Sequence, residues 1–197
     1  YKINYVAWGK TKDKRNYSWV DLDNEYAIEI IINYLIKKNH THISYINISE
    51  KYNFANERKS SFLKSLKLNK INFNPNYYAS VKLEEPENSF EVIKKMLTKN
   101  KKISAIICST EFSALSAIKA CNYLNYKIGK DISIITFDGA LVRDLSSPPI
   151  TAVSFPVKEL GKRAINILLN KNKNKNLQVN YSAETEIIER GSVHIVS

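Results

Sequence analysis

A chain of 197 residues is long enough for one large lobe or two small ones, burying roughly 70% of its unfolded surface without covalent staples. Its formal charge of +11 points toward acidic polymers, yet the lysines are scattered among asparagine and isoleucine, with no helix-turn-helix pattern, zinc-finger spacing or basic heptad segment. Cys108 and Cys121 lack metal-ligand spacing and read as small core residues in a reducing compartment. No apolar run is long enough to span a bilayer. The chain also opens on a strand-like segment instead of a basic signal sequence, so a cytoplasmic location without a membrane partner is expected.

In chain order, Lys2 to Trp8 and Trp19 to Leu22 are predicted strands on either side of a polar loop. Asp23 or Asn24 then caps a helix that carries Ile28, Ile31, Ile32 and Leu35 and ends near Asn39 and His40. Ile43 to Ile48 reads as the next strand and Ala55 to Leu68 as the next helix, with Phe62, Leu63 and Leu66 on its inner face. Tyr77 to Leu83 follows as strand and Ser89 to Lys99 as helix. Ile103 to Cys108 and Ile132 to Phe137 are apolar, β-branched runs, as expected of parallel strands covered on both faces. Between them Phe112, Leu115, Ile118 and Cys121 recur at near-helical spacing, and Gly129 stands where a helix-to-strand turn needs it. A short strand at Ile150 to Val153 and a helix from Val157 to Asn170 come next. After a solvated Lys171 to Asn176 connection, strands near Gln178 to Tyr181 and Glu186 to Arg190 close the chain. The fold class is α/β, a doubly wound parallel sheet without internal repeats.

In open α/β sheets, ligands bind beyond the carboxyl ends of the strands, which places Ser109, Thr110, Glu111 and Asp138 at the mouth of any site. Each also has a plain structural role open to it. Ser109 or Thr110 could be the N-cap of the following helix, and Asp138 suits a turn before Gly139. Catalysis finds little support: His40 and His42 flank a threonine at a helix-to-strand turn with no third metal ligand. No Gly-x-Ser-x-Gly elbow or glycine-rich phosphate loop occurs either. No catalytic residue, metal or cofactor is expected, and the chain reads as a protein that is not an enzyme.

The order of segments from Ile103 to Gly161 carries more. It contains Ile103-Ser-Ala-Ile-Ile-Cys-Ser-Thr-Glu111, Asp131-Ile-Ser-Ile-Ile-Thr-Phe-Asp138, and Ser147-Pro-Pro-Ile-Thr-Ala-Val-Ser-Phe-Pro156. Upstream stand Trp19-Val-Asp-Leu-Asp-Asn24, Asn39-His-Thr-His-Ile-Ser-Tyr-Ile46 and Arg58-Lys-Ser-Ser-Phe62, and downstream Glu189-Arg-Gly-Ser-Val193. This series resembles the effector-binding domain of the lactose/galactose-repressor family of bacterial transcription regulators, with Ser61 in place of a glycine.

The resemblance implies a periplasmic-binding-protein-like type I fold, comprising the C-terminal lobe with a partial N-terminal lobe. Residues 1–20 and 156–182 would be the remnant of the N-terminal lobe, and residues 21–155 and 183–197 the C-terminal lobe. The family's DNA-binding headpiece is expected to be absent, because the chain enters near the last strands of the N-terminal lobe. The implied function is effector binding and dimerisation in a sugar-responsive regulator, a repressor by type. The alternative is a sugar-binding receptor of a transporter, which shares the fold. Implied partners are a sugar or oligosaccharide effector, a second copy of the chain, and operator DNA only through the missing headpiece. Implied ligand residues are Arg58, a fork of donors, and Asp138, a pair of acceptors, with Thr110, Phe155 and Trp8 around them. Phe155 could stack on a sugar face or pack between lobes, and Trp8 carries the same two readings. The dimer surface would join Phe112, Leu115 and Ile118 to Leu141, Val142 and Leu145.

Overall fold

The computed structural model describes residues 3–10, 17–82, 88–137, 146–174 and 177–196. Its strands form two sheets. The smaller is built from β1 (Val6–Trp8), β2 (Ser18–Leu22) and β8 (Asn180–Ala183), parallel, in the order β1-β2-β8. The larger contains β3 (Ile43–Ile48), β4 (Tyr78–Val81), β5 (Ala105–Cys108), β6 (Ser133–Phe137), β7 (Thr151–Val153) and β9 (Ile187–Ile188). Its order is β4-β3-β5-β6-β7-β9, parallel except where β9 runs against β7. The first strand is shorter than predicted. Its pairing runs from Val6 opposite Ser18 to Trp8 opposite Val20, so Ile3 and Tyr5, which precede the start of β2, stay exposed. The penultimate strand lies two residues later than its apolar pattern suggested, because its register with β2 starts at Trp19 opposite Asn180.

Five helices are described: α1 (Asn24–Lys37), α2 (Asn53–Leu68), α3 (Asn88–Lys99), α4 (Glu111–Tyr123) and α5 (Val157–Lys173). Asp23 caps α1, its carboxylate accepting from the Tyr26 N–H at 3.0 Å. The helix stops at Asn39, whose φ of 64° turns the chain so that the His40 N–H reaches the Leu35 carbonyl at 3.0 Å. Period-two alternation in the strands then divides the core. Tyr45, Ala105, Ile107, Ile135 and Phe137 pack with Ile28, Ile31, Leu35, Phe62 and Leu66 of α1 and α2 on one face. Ile46, Ile106, Cys108 and Ile134 pack with Ile93, Leu97, Ala114, Ala117 and Cys121 of α3 and α4 on the other. Helices on both faces of a parallel sheet make the doubly wound architecture.

The face that α4 buries differs from the stripe read from the sequence. Ser113, Ala114, Ala117, Ala120 and Cys121 point inward, while Phe112 and Leu115 are 59% and 46% exposed. Small side chains allow the helix to lie close against the sheet, and the large ones are left on the outer side. Cys108 and Cys121 are buried free thiols, pushed upward in pKa chiefly by desolvation. Gly129 is where the predicted turn needs it: its φ is 77°, and a Cβ there would lie 2.2 Å from the Gly191 carbonyl oxygen.

His40 is structural. Its Nε2 donates to the His194 carbonyl at 3.0 Å, which fixes the tautomer, and its Nδ1 accepts from the Ser104 hydroxyl at 2.8 Å. Burial lowers its pKa to about 4, so it is neutral at pH 7. Among the described residues no cluster of His, Cys, Asp or Glu could hold a metal, and no described helix is long and apolar enough to cross a membrane.

Three segments join the two sheets: Asp23 between β2 and α1, residues 154–156 between β7 and α5, and residues 184–186 between β8 and β9. They are laced together. The Asp23 N–H donates to the Ala183 carbonyl at 3.1 Å, the Ser154 N–H to the Glu186 carbonyl at 2.8 Å, and the Ser154 and Thr185 hydroxyls meet at 3.2 Å.

Candidate functional site

The chain leaves β3 through α2 to reach β4 on one side, and leaves β5 through α4 to reach β6 on the other. The strand order therefore reverses between β3 and β5, and a crevice opens beyond their carboxyl ends. Arg58, in the second turn of α2, reaches into that crevice and is only 6% exposed. Its Nε donates to Asn24 Oδ1 at 2.7 Å, and an Nη1 hydrogen to the Ser109 carbonyl at 3.1 Å. The guanidinium lies 3.5 Å from the Phe137 ring centroid and 5.0 Å from that of Phe54. Stacking of this kind in a dry setting contributes about 2 kcal/mol. Desolvation nonetheless pulls the pKa of Arg58 down to about 10, partly countered by nearby Tyr45, Asp21 and Glu57. The side chain stays charged at pH 7. Two of the five donors of a guanidinium are thus held by described residues.

Below Arg58 a polar lattice fixes the carboxyl ends of β3 and β5. Tyr45 Oη meets the Ser109 hydroxyl at 2.6 Å, and that hydroxyl donates to Asn47 Oδ1 at 2.8 Å. Asn47 Nδ2 donates to the Ala55 carbonyl at 2.9 Å and to Tyr78 Oη at 3.1 Å, and Tyr78 donates onward to Glu50 Oε1 at 2.9 Å. Glu50 is paired with Lys59 at 2.8 Å. Its pKa is held below the usual range by these two hydrogen bonds. The buried members, Tyr45, Asn47 and Ser109, satisfied this completely, hold one geometry rigidly, so the crevice floor is preformed.

The other predicted site residues sit as follows. Thr110, not Ser109, is the N-cap of α4: its Oγ1 accepts from the Ser113 N–H at 3.2 Å and the Ser113 hydroxyl completes a capping box. Ser109 is instead buried in the lattice described above. Phe155 packs against the apolar clusters of both sheets, which is the between-lobe packing weighed from the sequence. Trp8, 50% exposed at the end of β1, lies 6.5 Å from it, centroid to centroid. Asp138 and the Leu141, Val142 and Leu145 segment lie outside the described residues. A separate depression of about 490 Å³, lined by His42, Phe73 and Tyr77, opens at the N-terminal ends of the strands, away from Arg58.

Sequence reasoning missed Asn24, Glu57 and Lys10. Asn24 Nδ2 donates to the Leu22 carbonyl at 3.2 Å and approaches Glu57 Oε2 at 3.5 Å, while its Oδ1 holds Arg58. Glu57 also accepts from Asn53 at 3.2 Å and forms an ion pair with Lys10 at 3.3 Å. The signal available was the Asp-Asn pair at the start of α1: once Asp23 takes the cap, Asn24 is left over, buried at the crevice wall.

Two parallel sheets joined by three laced crossings, with a buried arginine where the strand order reverses, define the class of hinged α/β binding folds. A family profile described as a periplasmic binding protein-like domain matches residues 32–193, and the chain belongs to that family. Curated relatives carry the name of an HTH-type transcriptional repressor, PurR. One is the HTH-type transcriptional repressor PurR of Histophilus somni (strain 2336), 31% identical over 160 residues covering 81% of this chain and 46% of the relative. Among solved structures, the transcriptional regulator CelR in complex with cellobiose superposes with a TM-score of 0.87 at 18% identity, over 95% of this chain and 58% of that one. A regulatory protein of the LacI family from Chloroflexus aggregans gives 0.83 at 23% identity, over 95% and 68%. The chain spans about half the length of the repressor relatives it matches.

Proposed function

We propose that this chain is the effector-binding and dimerisation part of a sugar-responsive bacterial transcription repressor acting in the cytoplasm. The observation that carries the reading is Arg58: a charged fork buried beyond the carboxyl ends of β3 and β5, pre-oriented by Asn24 and Ser109. Such a fork suits ligand hydroxyls and ring oxygens. Asp138, directly after Phe137, would supply the complementary acceptors, with Thr110 and Trp8 at the margin and Phe155 holding the lobes together. The effector is a neutral sugar or oligosaccharide, in keeping with the cellobiose held by the structural neighbour CelR. Regulator relatives favour this over a transporter's receptor. The lobes are proposed to follow residues 1–20 with 156–182, and 21–155 with 183–197.

Effector binding would shift the population of lobe arrangements and so alter DNA affinity elsewhere in the protein. Among the described residues no element is shaped to read a groove, and retention on duplex DNA at low salt should vanish at physiological salt without sequence preference. Dimerisation would use the outer face of α4, where Phe112 and Leu115 are exposed, with the Leu141 to Leu145 segment. Calorimetry against a panel of neutral sugars tests the central reading. Binding of a sugar by the chain, lost on replacing Arg58, is the expected result; a panel without any binder refutes it.

A further inference from the structure

Lys10 is held at both ends by different parts of the molecule. Its backbone N–H donates to Asp21 Oδ2 at 3.1 Å, and Asp21 is anchored within β2 by accepting from the Leu22 N–H at 2.8 Å. The main chain of Lys10 is therefore fixed to the smaller sheet. Its side chain ends with Nζ 5.3 Å from the ring centroid of Trp19 in β2 and 3.3 Å from Glu57 Oε2 of α2. Glu57 belongs to the helix that packs on the larger sheet. The ion pair thus crosses between the two sheets, and both partners are largely buried, 26% and 17% exposed.

Glu57 is the residue before Arg58, and the two are joined a second time through Asn24. One end of the Asn24 amide faces Glu57 and the other accepts from Arg58 Nε. Asn24 sits one residue past the β2-to-α1 crossing, with its Nδ2 also on the Leu22 carbonyl. An amide held from the Nδ2 side cannot flip, so its oxygen is kept on Arg58. The order of contacts is Lys10, Glu57, Asn24, Arg58, Ser109: it starts on the smaller sheet and ends at the carboxyl end of β5.

We propose that Lys10 and Glu57 form an interlobe ion pair that positions Arg58 through Asn24, so that one contact sets both the lobe arrangement and the effector site. The proposal deepens the sugar-binding reading and rests on it for the role of Arg58. Lys10 and Glu57 are positioning residues, acting through Asn24. Separating the sheets would pull Lys10 from Glu57 and free that carboxylate to shift, which leaves Asn24 Nδ2 on the Leu22 carbonyl alone and loosens the arginine. Seating a ligand on Arg58 would favour the paired arrangement by the same route, since coupling between binding and arrangement is reciprocal.

The test combines a distance and an affinity. Spin labels on Asn180→Cys and Lys99→Cys, both exposed, report the separation of the sheets by electron–electron double resonance; Cys108 and Cys121 are buried. The labelled chain should give one narrow distance distribution. Lys10→Met and Glu57→Gln should each broaden it, and the double variant should be no broader than either single one. Unchanged distributions in both single variants, or additive effects in the double, would overturn the proposal. With cellobiose and maltose as probes, each single variant should bind about tenfold more weakly, with no further loss in the double. If neither these disaccharides nor any other neutral sugar of the panel binds the unaltered chain, it is the sugar reading that fails, and the distance measurement still decides the ion pair.

Discussion

Replacing Arg58 by methionine separates its role in folding from its role in binding, because methionine keeps the length of the stem and removes the charge. Burial, which takes the guanidinium from 12.5 down to about 10, disfavours the charged form by about 3 kcal/mol. The hydrogen bonds to Asn24 and Ser109 each return ~1.5 kcal/mol or more, the donor being charged. Those contributions nearly cancel. A neutral side chain of similar reach therefore gives up the ~2 kcal/mol of stacking on Phe137 and Phe54 and leaves Asn24 Oδ1 and the Ser109 carbonyl orphaned at about 1–3 kcal/mol each, a loss of about 4 kcal/mol or more. Urea unfolding of Arg58→Met should show a loss of that size. Sugar affinity should also fall, by ~1.5–3 kcal/mol for a lost charge-assisted hydrogen bond in a partly dry site, about ten- to hundredfold in Kd. Calorimetry on both proteins with the best-bound sugar measures it. A folded Arg58→Met chain that keeps its affinity within about twofold would remove Arg58 from the ligand site and refute the reasoning.

Gly129→Ala should destabilise the chain by about 2–4 kcal/mol, since it combines a left-handed backbone with a Cβ driven into the Gly191 carbonyl; a urea midpoint equal to that of the unaltered chain would refute the clash. His40 titrates at about 4 in the folded chain against an ordinary 6.5, so the unfolded chain takes up the proton first. Its contribution to stability is complete above about pH 6.5 and is lost as the pH falls toward 4, by up to ~3 kcal/mol. His40→Gln should flatten that slope in urea unfolding at pH 7 and pH 4.5, although His194, also depressed by burial, retains part of it; equal slopes would exclude His40 as the titrating group. Phe112→Asp combined with Leu115→Asp should convert a dimer into folded monomers by sedimentation, and an unchanged oligomer would place the interface elsewhere.

The strands of the larger sheet were legible because their apolar runs are set by burial on both faces. Ile43 to Ile48 matches β3 residue for residue. The edges were less legible: the extent of β1 depends on where Ser18 begins pairing, which no local pattern records. The inner face of α4 was not legible because apolar spacing marks the larger side chains, and here close approach to the sheet selects Ala114, Ala117 and Ala120. In the site, Arg58 was legible only through the family pattern. On its own helix it reads as a solvent-facing arginine, and its burial is created by Asn24 and Ser109, 34 and 51 residues away in sequence. Glu57 and Lys10 gave no signal for the same reason: their pairing exists only once two sheets are brought together.

The overall charge and the charge of the crevice point to different chemistry. The chain carries +11, a field that would favour any polyanion at low salt. Around the crevice the balance is otherwise. Two cations, Arg58 and Lys10, stand among two carboxylates, Asp21 and Glu57, with Lys10 paired to Glu57 and bonded through its backbone to Asp21. Among the described residues these formal charges cancel, so an anionic ligand would have to compete with Glu57 for the cation that restrains it, and a cationic one would displace Lys10. A neutral ligand with many hydroxyls requires neither exchange. It can use the free hydrogen-bonding capacity of a fixed guanidinium while leaving the ion pair between the sheets intact. This charge balance supports a sugar over a phosphorylated or carboxylated effector, and it ties ligand choice to Lys10 and Glu57, the ion pair that crosses between the sheets.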